Sequence, residues 1–404
     1  MNCFTCNNLR AGLAALTLLF ATGATARADS PGDTTLSAFY AAPATLPDAP
    51  GRMLRSEALP PALHLGQAGQ QLRILYSSTD GVSGHGIVAV SGAIFLPRGE
   101  PPKGGWKVVA WAHGTVGIAD ACAPSWSGRS QRDIDYLNAW LSQGYAIVAT
   151  DYQGLGTAGT HPYIQTRPAA YSVLDAVRAA LAAPLHLAND VVVIGQSQGG
   201  GAAFATGAFQ PQYAPDLHLR GVVATGTPYI SPHSIKGALA ADPDHVDPTI
   251  AYLLYLLETA QDPTLAQSAI APDAQAIAAQ TAKVCLHATE QAIETDRLTR
   301  RKAFDPKAMA AALPSLLPPL EYPTLKLAMP VFLGTGGKDH DVPTPGQILL
   351  AKDACAAGSD VVFHLYPAQD HSGTVMTSLP DSTPFVRAVL AGERPASSCA
   401  TLPQ

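Results

Sequence analysis

Charge is scarce in this 404-residue chain: Asp, Glu, Lys and Arg make up only 14% of it, with a formal net charge of −6. No run of Lys and Arg offers a surface that could track a phosphate backbone, which argues against nucleic acid as a partner. Long apolar runs are equally scarce. Beyond residues 11–21, no stretch is apolar enough to cross a bilayer. No self-similar period marks a solenoid or a propeller. The 35 glycines and 34 prolines are scattered, which excludes a collagen-like chain and points to many turns and loops. Against these absences stands a hydrophobic content of 47%. That suffices for a large core, either one big α/β domain with an insertion or two domains.

The N-terminus has the layout of a secretory signal peptide, expected to span residues 1–28. Arg10 precedes the apolar run, and small residues follow it with two A-x-A sites, Ala24-Thr25-Ala26 and Ala26-Arg27-Ala28. Cleavage is expected after Ala26 or Ala28, with export to the periplasm or the medium. The run is too short for a comfortable membrane anchor. Export changes the reading of the six cysteines. Cys3 and Cys6 leave with the signal, so their CxxC spacing marks neither a redox nor a zinc site. Cys122, Cys285, Cys355 and Cys399 remain, and an oxidising compartment suggests two disulfides in one of three connectivities.

Residues 29–65 show no clear period and read as an N-terminal arm. Residues 71–77 and 87–96 read as an antiparallel strand pair around a Gly-rich turn at 81–86. From Trp106 the texture changes. Short apolar runs at 107–112, 145–150, 191–194, 221–224, 330–333 and 361–366 read as strands. Between them lie helical spacings, such as Ile134, Leu137, Trp140 and Leu141, or Tyr171, Leu174, Val177, Ala180 and Leu181. Wholly apolar strands alternating with helices predict a mostly parallel sheet covered on both faces. The rhythm breaks once, between 224 and 330. Residues 245–315 look helical, and 229–315 read as an inserted cap, with the core formed by 66–228 and 316–404. The alternative is a set of extra helices packed elsewhere on the sheet.

Gly195-Gln196-Ser197-Gln198-Gly199 fits G-x-S-x-G, preceded by an apolar strand and followed by a helix-compatible run of small residues. The setting is that of a strand–turn–helix that lifts a serine hydroxyl to the top of a sheet. A phosphate-binding loop would require a Lys that is missing. A serine nucleophile needs a base, and the base an orienting carboxylate, in the chain order Ser, acid, His. Asp339 and His371 each lie just past a predicted strand, where α/β sheets assemble their sites. Asp341, Asp370, His340 and His364 are rivals, His364 being inside a strand. The backbone N–H groups of Gln198 and Thr115 are the expected oxyanion donors, and His113 is expected to hold the turn that carries Thr115.

These residues resemble the secretory lipase family of α/β-hydrolases. The matching pieces are Trp111 to Thr115, Asp151 to Gly156 with Thr160-His161-Pro162-Tyr163 behind it, Gly195 to Gly200, and Lys338 to Pro343. The resemblance covers most of residues 70–390 and implies an α/β-hydrolase fold with a helical cap inserted before Pro330. It implies Ser197, Asp339 and His371 as a catalytic triad, and disulfides Cys122–Cys285 and Cys355–Cys399. It further implies hydrolysis of carboxylic esters, often of lipids, without metal or organic cofactor, and transient contact with a lipid interface. The Asp151–Gly156 segment reads either as a site lining or as a tight turn, with no catalytic role assigned. The rival functions are an exported serine peptidase of the same fold and a non-catalytic binding protein on a hydrolase scaffold.

Overall fold

The computed structural model of the protein describes residue 1 and residues 32–230 and 243–403. The expected signal segment with its A-x-A sites, Cys3, Cys6, and residues 231–242 of the expected insertion lie outside the described residues.

Nine strands form one sheet in the order β1-β2-β3-β5-β4-β6-β7-β8-β9. They are β1 Met53–Ala58, β2 Ala68–Thr79, β3 Ile87–Pro97, β4 Trp106–Ala112, β5 Ala146–Thr150, β6 Leu187–Gln196, β7 Leu219–Thr225, β8 Val331–Gly336 and β9 Val361–Tyr366. The pairs β1–β2, β2–β3 and β3–β5 are antiparallel, and every pair from β5 to β9 is parallel. Alternation along each strand sends side chains to two cores. In β4, Val108, Ala110 and Ala112 join one apolar cluster and Val109 and Trp111 the other. The short helix α1 Pro124–Ser127 follows β4, and α2 Gln131–Ser142 then packs on the second face, with Tyr136, Leu137, Trp140 and Leu141 buried. Helices α3 Thr166–Ala182 and α4 Gln198–Tyr213 cover the first face.

One strand departs from the sequence reading. Residues 53–58, taken as part of a patternless arm, form β1. Their sequence, MLRSEA, lacks apolar alternation because β1 is an edge strand, paired on one side only and half exposed. The residues before it are also anchored. Phe39 and Tyr40 pack with Leu75 and Ala89, and the buried Arg73 lies over the rings of Phe39, Tyr40 and Trp126.

Between β7 and β8 the described residues hold helices α5 Ile250–Glu258, α6 Pro263–Ser268, α7 Pro272–Thr281, α8 Leu286–Thr295, α9 Arg300–Ala303 and α10 Pro306–Leu316. They share an apolar cluster that also takes in Ile118 and Tyr163 from the sheet region. Cys122, after β4, is bonded to Cys285, at the start of α8; Cys355 is bonded to Cys399. This is the pairing the family resemblance implies. The chain ends with α11 Thr344–Ala356, α12 Gly373–Thr377 and α13 Leu379–Leu390. The architecture is an α/β-hydrolase fold. No described helix is long and apolar enough to cross a membrane.

Candidate active site

Strand β6 ends at Gln196 and α4 begins at Gln198, so the chain turns through Ser197 alone. The turn forces Ser197 to φ 60° and ψ −124°, a strained backbone for a residue with a Cβ. Its two flanking glycines make room. A Cβ on Gly195 would lie 1.9 Å from the Gly199 carbonyl oxygen, and one on Gly199 would lie 1.9 Å from that of Ala112. The Ser197 N–H donates to the Thr225 carbonyl (2.9 Å) at the end of β7, and the Gly201 N–H donates to the Ser197 carbonyl (3.0 Å).

Asp339 follows β8 and His371 follows β9. His371 Nδ1 lies 2.7 Å from Asp339 Oδ2. The same Oδ2 accepts from Gln347 Nε2 (2.8 Å), and Oδ1 accepts from the Val342 N–H (2.9 Å). Three donors therefore satisfy a carboxylate whose side chain is wholly buried. Because a carboxylate only accepts, His371 carries its proton on Nδ1 and bears the lone pair on Nε2. That Nε2 is buried and has no hydrogen-bond partner among the described residues. Gly226 links this pair to the serine turn. It follows Thr225, which holds the Ser197 N–H, and a Cβ there would lie 2.7 Å from His371 Cε1. Strands β6 to β9 thus deliver a strained serine and an acid-oriented imidazole to one end of the sheet.

The rival residues sit elsewhere. Asp341 accepts from the Tyr252 hydroxyl of α5 (3.2 Å). Asp370 accepts from the Gly373 N–H (2.7 Å), and His340 is exposed. His364, on β9, stacks on Phe332 and lies 3.6 Å from Asp381.

The loop after β4 runs against the serine turn. A Cβ on Gly114 would lie 2.7 Å from Gln196 Oε1 and 3.5 Å from Ser197 Cβ. Thr115 follows, its hydroxyl 2.8 Å from that of Tyr163. Gln198 is the first residue of α4, so its N–H has no acceptor within the helix. Its side-chain Nε2 lies 3.1 Å from His161 Nε2. His113 is buried, with Nδ1 2.7 Å from the Gly114 carbonyl and Nε2 3.4 Å from the Asp151 carbonyl, and burial holds its pKa below the usual value. It braces the turn. The segment after β5 is itself a tight turn: Tyr152, Gly154 and Gly156 all have positive φ. Asp151 faces inward to Ser91 Oγ (2.7 Å), the Ser125 N–H (3.0 Å) and the Ser125 hydroxyl.

Three side chains tie this region together that the sequence reading did not single out as site residues. Gln347, on α11, secures Asp339. Arg132, on α2, donates to Gln196 Oε1 (3.1 Å) and to Ser372 Oγ (3.1 Å), joining the neighbours of Ser197 and His371, while its Nε holds Asp133 (2.9 Å). His161 holds the Gln198 side chain. Only His161 lay in a quoted motif; the other two converge from helices with no local pattern to mark them. Among the described residues, no group of three or more His, Cys, Asp or Glu is arranged to hold a metal ion.

The profile of the family described as secretory lipase matches residues 125–398. Lipase 7 of Candida albicans is 32% identical over 112 residues, a match covering 25% of this chain and 25% of that protein. The chain thus spans about a quarter of the length of the curated relative it matches. Among solved structures, Candida antarctica lipase A in its closed state superposes with a TM-score of 0.72 at 21% identity, over 90% of this chain and 88% of the other. The rice cell wall degrading esterase LipA of Xanthomonas oryzae superposes with a TM-score of 0.65 at 20% identity, over 86% of this chain and 100% of the other.

Proposed function

The chain belongs to the secretory lipase family, and from that premise we propose that it is an exported serine carboxylic-ester hydrolase acting through Ser197, His371 and Asp339. The observation that carries this reading is the His371–Asp339 hydrogen bond (2.7 Å), which leaves a buried, unpartnered Nε2 at the end of the sheet where Ser197 sits on its strained turn. In the proposed reaction, His371 Nε2 takes the Ser197 hydroxyl proton as Oγ adds to the ester carbonyl carbon. The backbone N–H groups of Thr115 and Gln198 receive the oxyanion. Collapse expels the alcohol, which leaves with the proton from His371. Water then adds to the acyl-enzyme with the same base, releasing the acid and restoring Ser197. Asp339 holds the imidazole in the tautomer this requires and stabilises the imidazolium.

In this reading residues 1–28 are a signal peptide cut after Ala26 or Ala28, and 29–65 are an N-terminal arm. Residues 66–228 and 316–404 are the catalytic core, and 229–315 are a helical cap over the site. Two disulfides suit an exported enzyme. A small recess beside Gln198 is lined by Ile164, Ala169, Gly201, Pro228 and Leu320 among others, and membership of the secretory lipase family supports an ester of lipid type as the substrate. The substrate class is thus a small-molecule or lipid ester. The test is hydrolysis of p-nitrophenyl esters from acetate to palmitate by the mature protein and by Ser197→Ala. The expected result is turnover that vanishes in the variant. Folded, oxidised protein without ester turnover, yet cleaving aminoacyl anilides, would make it a peptidase. Inertness to both would make it a binding protein.

A further inference from the structure

The motif Thr160-His161-Pro162-Tyr163 has no part in the reaction described so far, yet two of its side chains reach the two proposed oxyanion donors. The His161 ring is buried, with Nδ1 2.9 Å from the Gln153 carbonyl oxygen. A carbonyl only accepts, so the proton sits on Nδ1 and Nε2 is the acceptor. The Gln198 side chain therefore donates to it (Nε2 to Nε2, 3.1 Å). Burial lowers the His161 pKa to about 4, which keeps the ring neutral and that acceptor in place. Two residues on, the buried Tyr163 hydroxyl bonds the Thr115 hydroxyl (2.8 Å). The two side chains spring from one rigid turn. Pro162 fixes its own φ, and the Tyr163 N–H closes onto the His161 carbonyl (2.8 Å) across it. Ring contacts hold the turn from both sides, with Tyr152 stacked on His161 (centroids 6.1 Å apart) and Tyr255 of α5 edge-on to Tyr163 (5.5 Å).

We propose that the His161–Pro162–Tyr163 turn is a positioning brace for the oxyanion site, His161 fixing Gln198 and Tyr163 fixing Thr115 so that their backbone N–H groups stay convergent. The two N–H groups belong to different elements, one to the loop after β4 and one to the first residue of α4, where a helix N–H has no acceptor within the helix. A polar pair in an apolar core adds little net stability over a well-packed apolar pair. What it adds here is a fixed geometry. The proposal rests on the serine-hydrolase reading.

The test compares His161→Asn, His161→Gln, Gln198→Leu and Tyr163→Phe in the full oxidised protein, each checked for folding by its thermal melt. Asn keeps a donor near the position of Nδ1 but falls short of Gln198, whereas the Gln carbonyl reaches about where Nε2 lies. Gln198→Leu keeps the backbone donor and removes only the side-chain bond. With p-nitrophenyl butyrate, kcat in H161N, Q198L and Y163F is expected to fall about 10- to 100-fold with KM within about threefold, as for displaced rather than deleted donors. Affinity for an alkyl boronic acid, which places a tetrahedral oxyanion in the site, is expected to fall in parallel, and H161Q to recover most of both. Wild-type kcat in folded Q198L and Y163F would overturn the brace. So would kcat losses with boronate affinity unchanged. Those results would leave the hydrolase reading standing, because turnover lost in Ser197→Ala tests it separately; a wild type without such turnover would overturn both.

Discussion

The two disulfides close loops of very different length and sit at different distances from the proposed chemistry, so their removal separates stability from activity. Cys122–Cys285 spans 163 residues and Cys355–Cys399 spans 44. Loop-closure entropy gives about 5 kcal/mol of stabilisation for the first and about 4 for the second, as upper values for unstrained bridges. On stability the pairs differ little. On activity they should differ sharply. A Cβ on Gly117 would lie 2.9 Å from Cys122 Sγ and 3.1 Å from Cys285 Cα, and the Leu286 N–H donates to the Val116 carbonyl (2.8 Å). Val116 and Gly117 directly continue Thr115, so this bridge clamps the loop of a proposed oxyanion donor to α8. Cys355 lies at the far end of α11, eight residues beyond Gln347 by sequence. In C122A/C285A the urea midpoint is expected to drop and kcat to fall at least about tenfold under native conditions. In C355A/C399A the midpoint drops comparably and kcat stays within about twofold. Matched urea titrations and initial rates with p-nitrophenyl butyrate decide it. An unchanged midpoint in either double variant would refute the entropic estimate. Activity lost in the second pair but kept in the first would refute the coupling to Thr115.

Gly226→Ala is expected to abolish most turnover while leaving the protein folded, because φ is +56° and the new Cβ would lie 2.7 Å from His371 Cε1; full activity would refute the placement of His371. Gln347→Leu removes one of the three donors to Asp339 and leaves a buried carboxylate less satisfied, which should cost about 1.5–3 kcal/mol in urea unfolding and lower kcat. A stability indistinguishable from wild type would contradict the hydrogen-bond assignment. His161 gives a pH signature. Its pKa is lowered by burial to about 4 from 6.5, so between those values the unfolded chain binds more protons and this residue's contribution to stability grows as pH rises. Asp120 acts oppositely, since burial raises its carboxyl to about 7. The difference between wild type and H161Q isolates the histidine. It should widen by up to about 3 kcal/mol from pH 4 to pH 6.5, and a constant difference would show that His161 does not titrate as its burial dictates.

The parallel half of the sheet was legible because its strands are short, nearly unbroken apolar runs, buried on both faces in the interior strands such as β4 and apolar even at the edge strand β9. The predicted 361–366 coincides with β9, and 107–112 falls one residue short of β4. Strand β1 was not legible, since an edge strand with a half-exposed face needs no alternation. Chain order and strand ends, which a linear sequence does record, singled out Ser197, Asp339 and His371, and of these His371 and Asp339 are hydrogen-bonded (2.7 Å). Gln347 and Arg132 were invisible for the complementary reason. Their partners, Asp339 and the pair Gln196 and Ser372, meet them only through helix packing, and a Gln or Arg on a helix surface carries no local sign of such a partner. The Asp151 to Gly156 segment was ambiguous in sequence because glycines serve both site linings and tight turns. The positive φ values and the inward hydrogen bonds of Asp151 identify a turn.

The central claim is that Ser197 is the nucleophile activated by His371. Its most direct test is treatment of the mature protein with diethyl p-nitrophenyl phosphate, followed by intact mass and peptide mapping. The account predicts one diethylphosphoryl group per chain, on the peptide containing Ser197, formed in step with loss of esterase activity. It predicts no adduct in Ser197→Ala and a much slower one in His371→Ala. An adduct on another residue, or a folded and active enzyme that stays unlabelled, would contradict it.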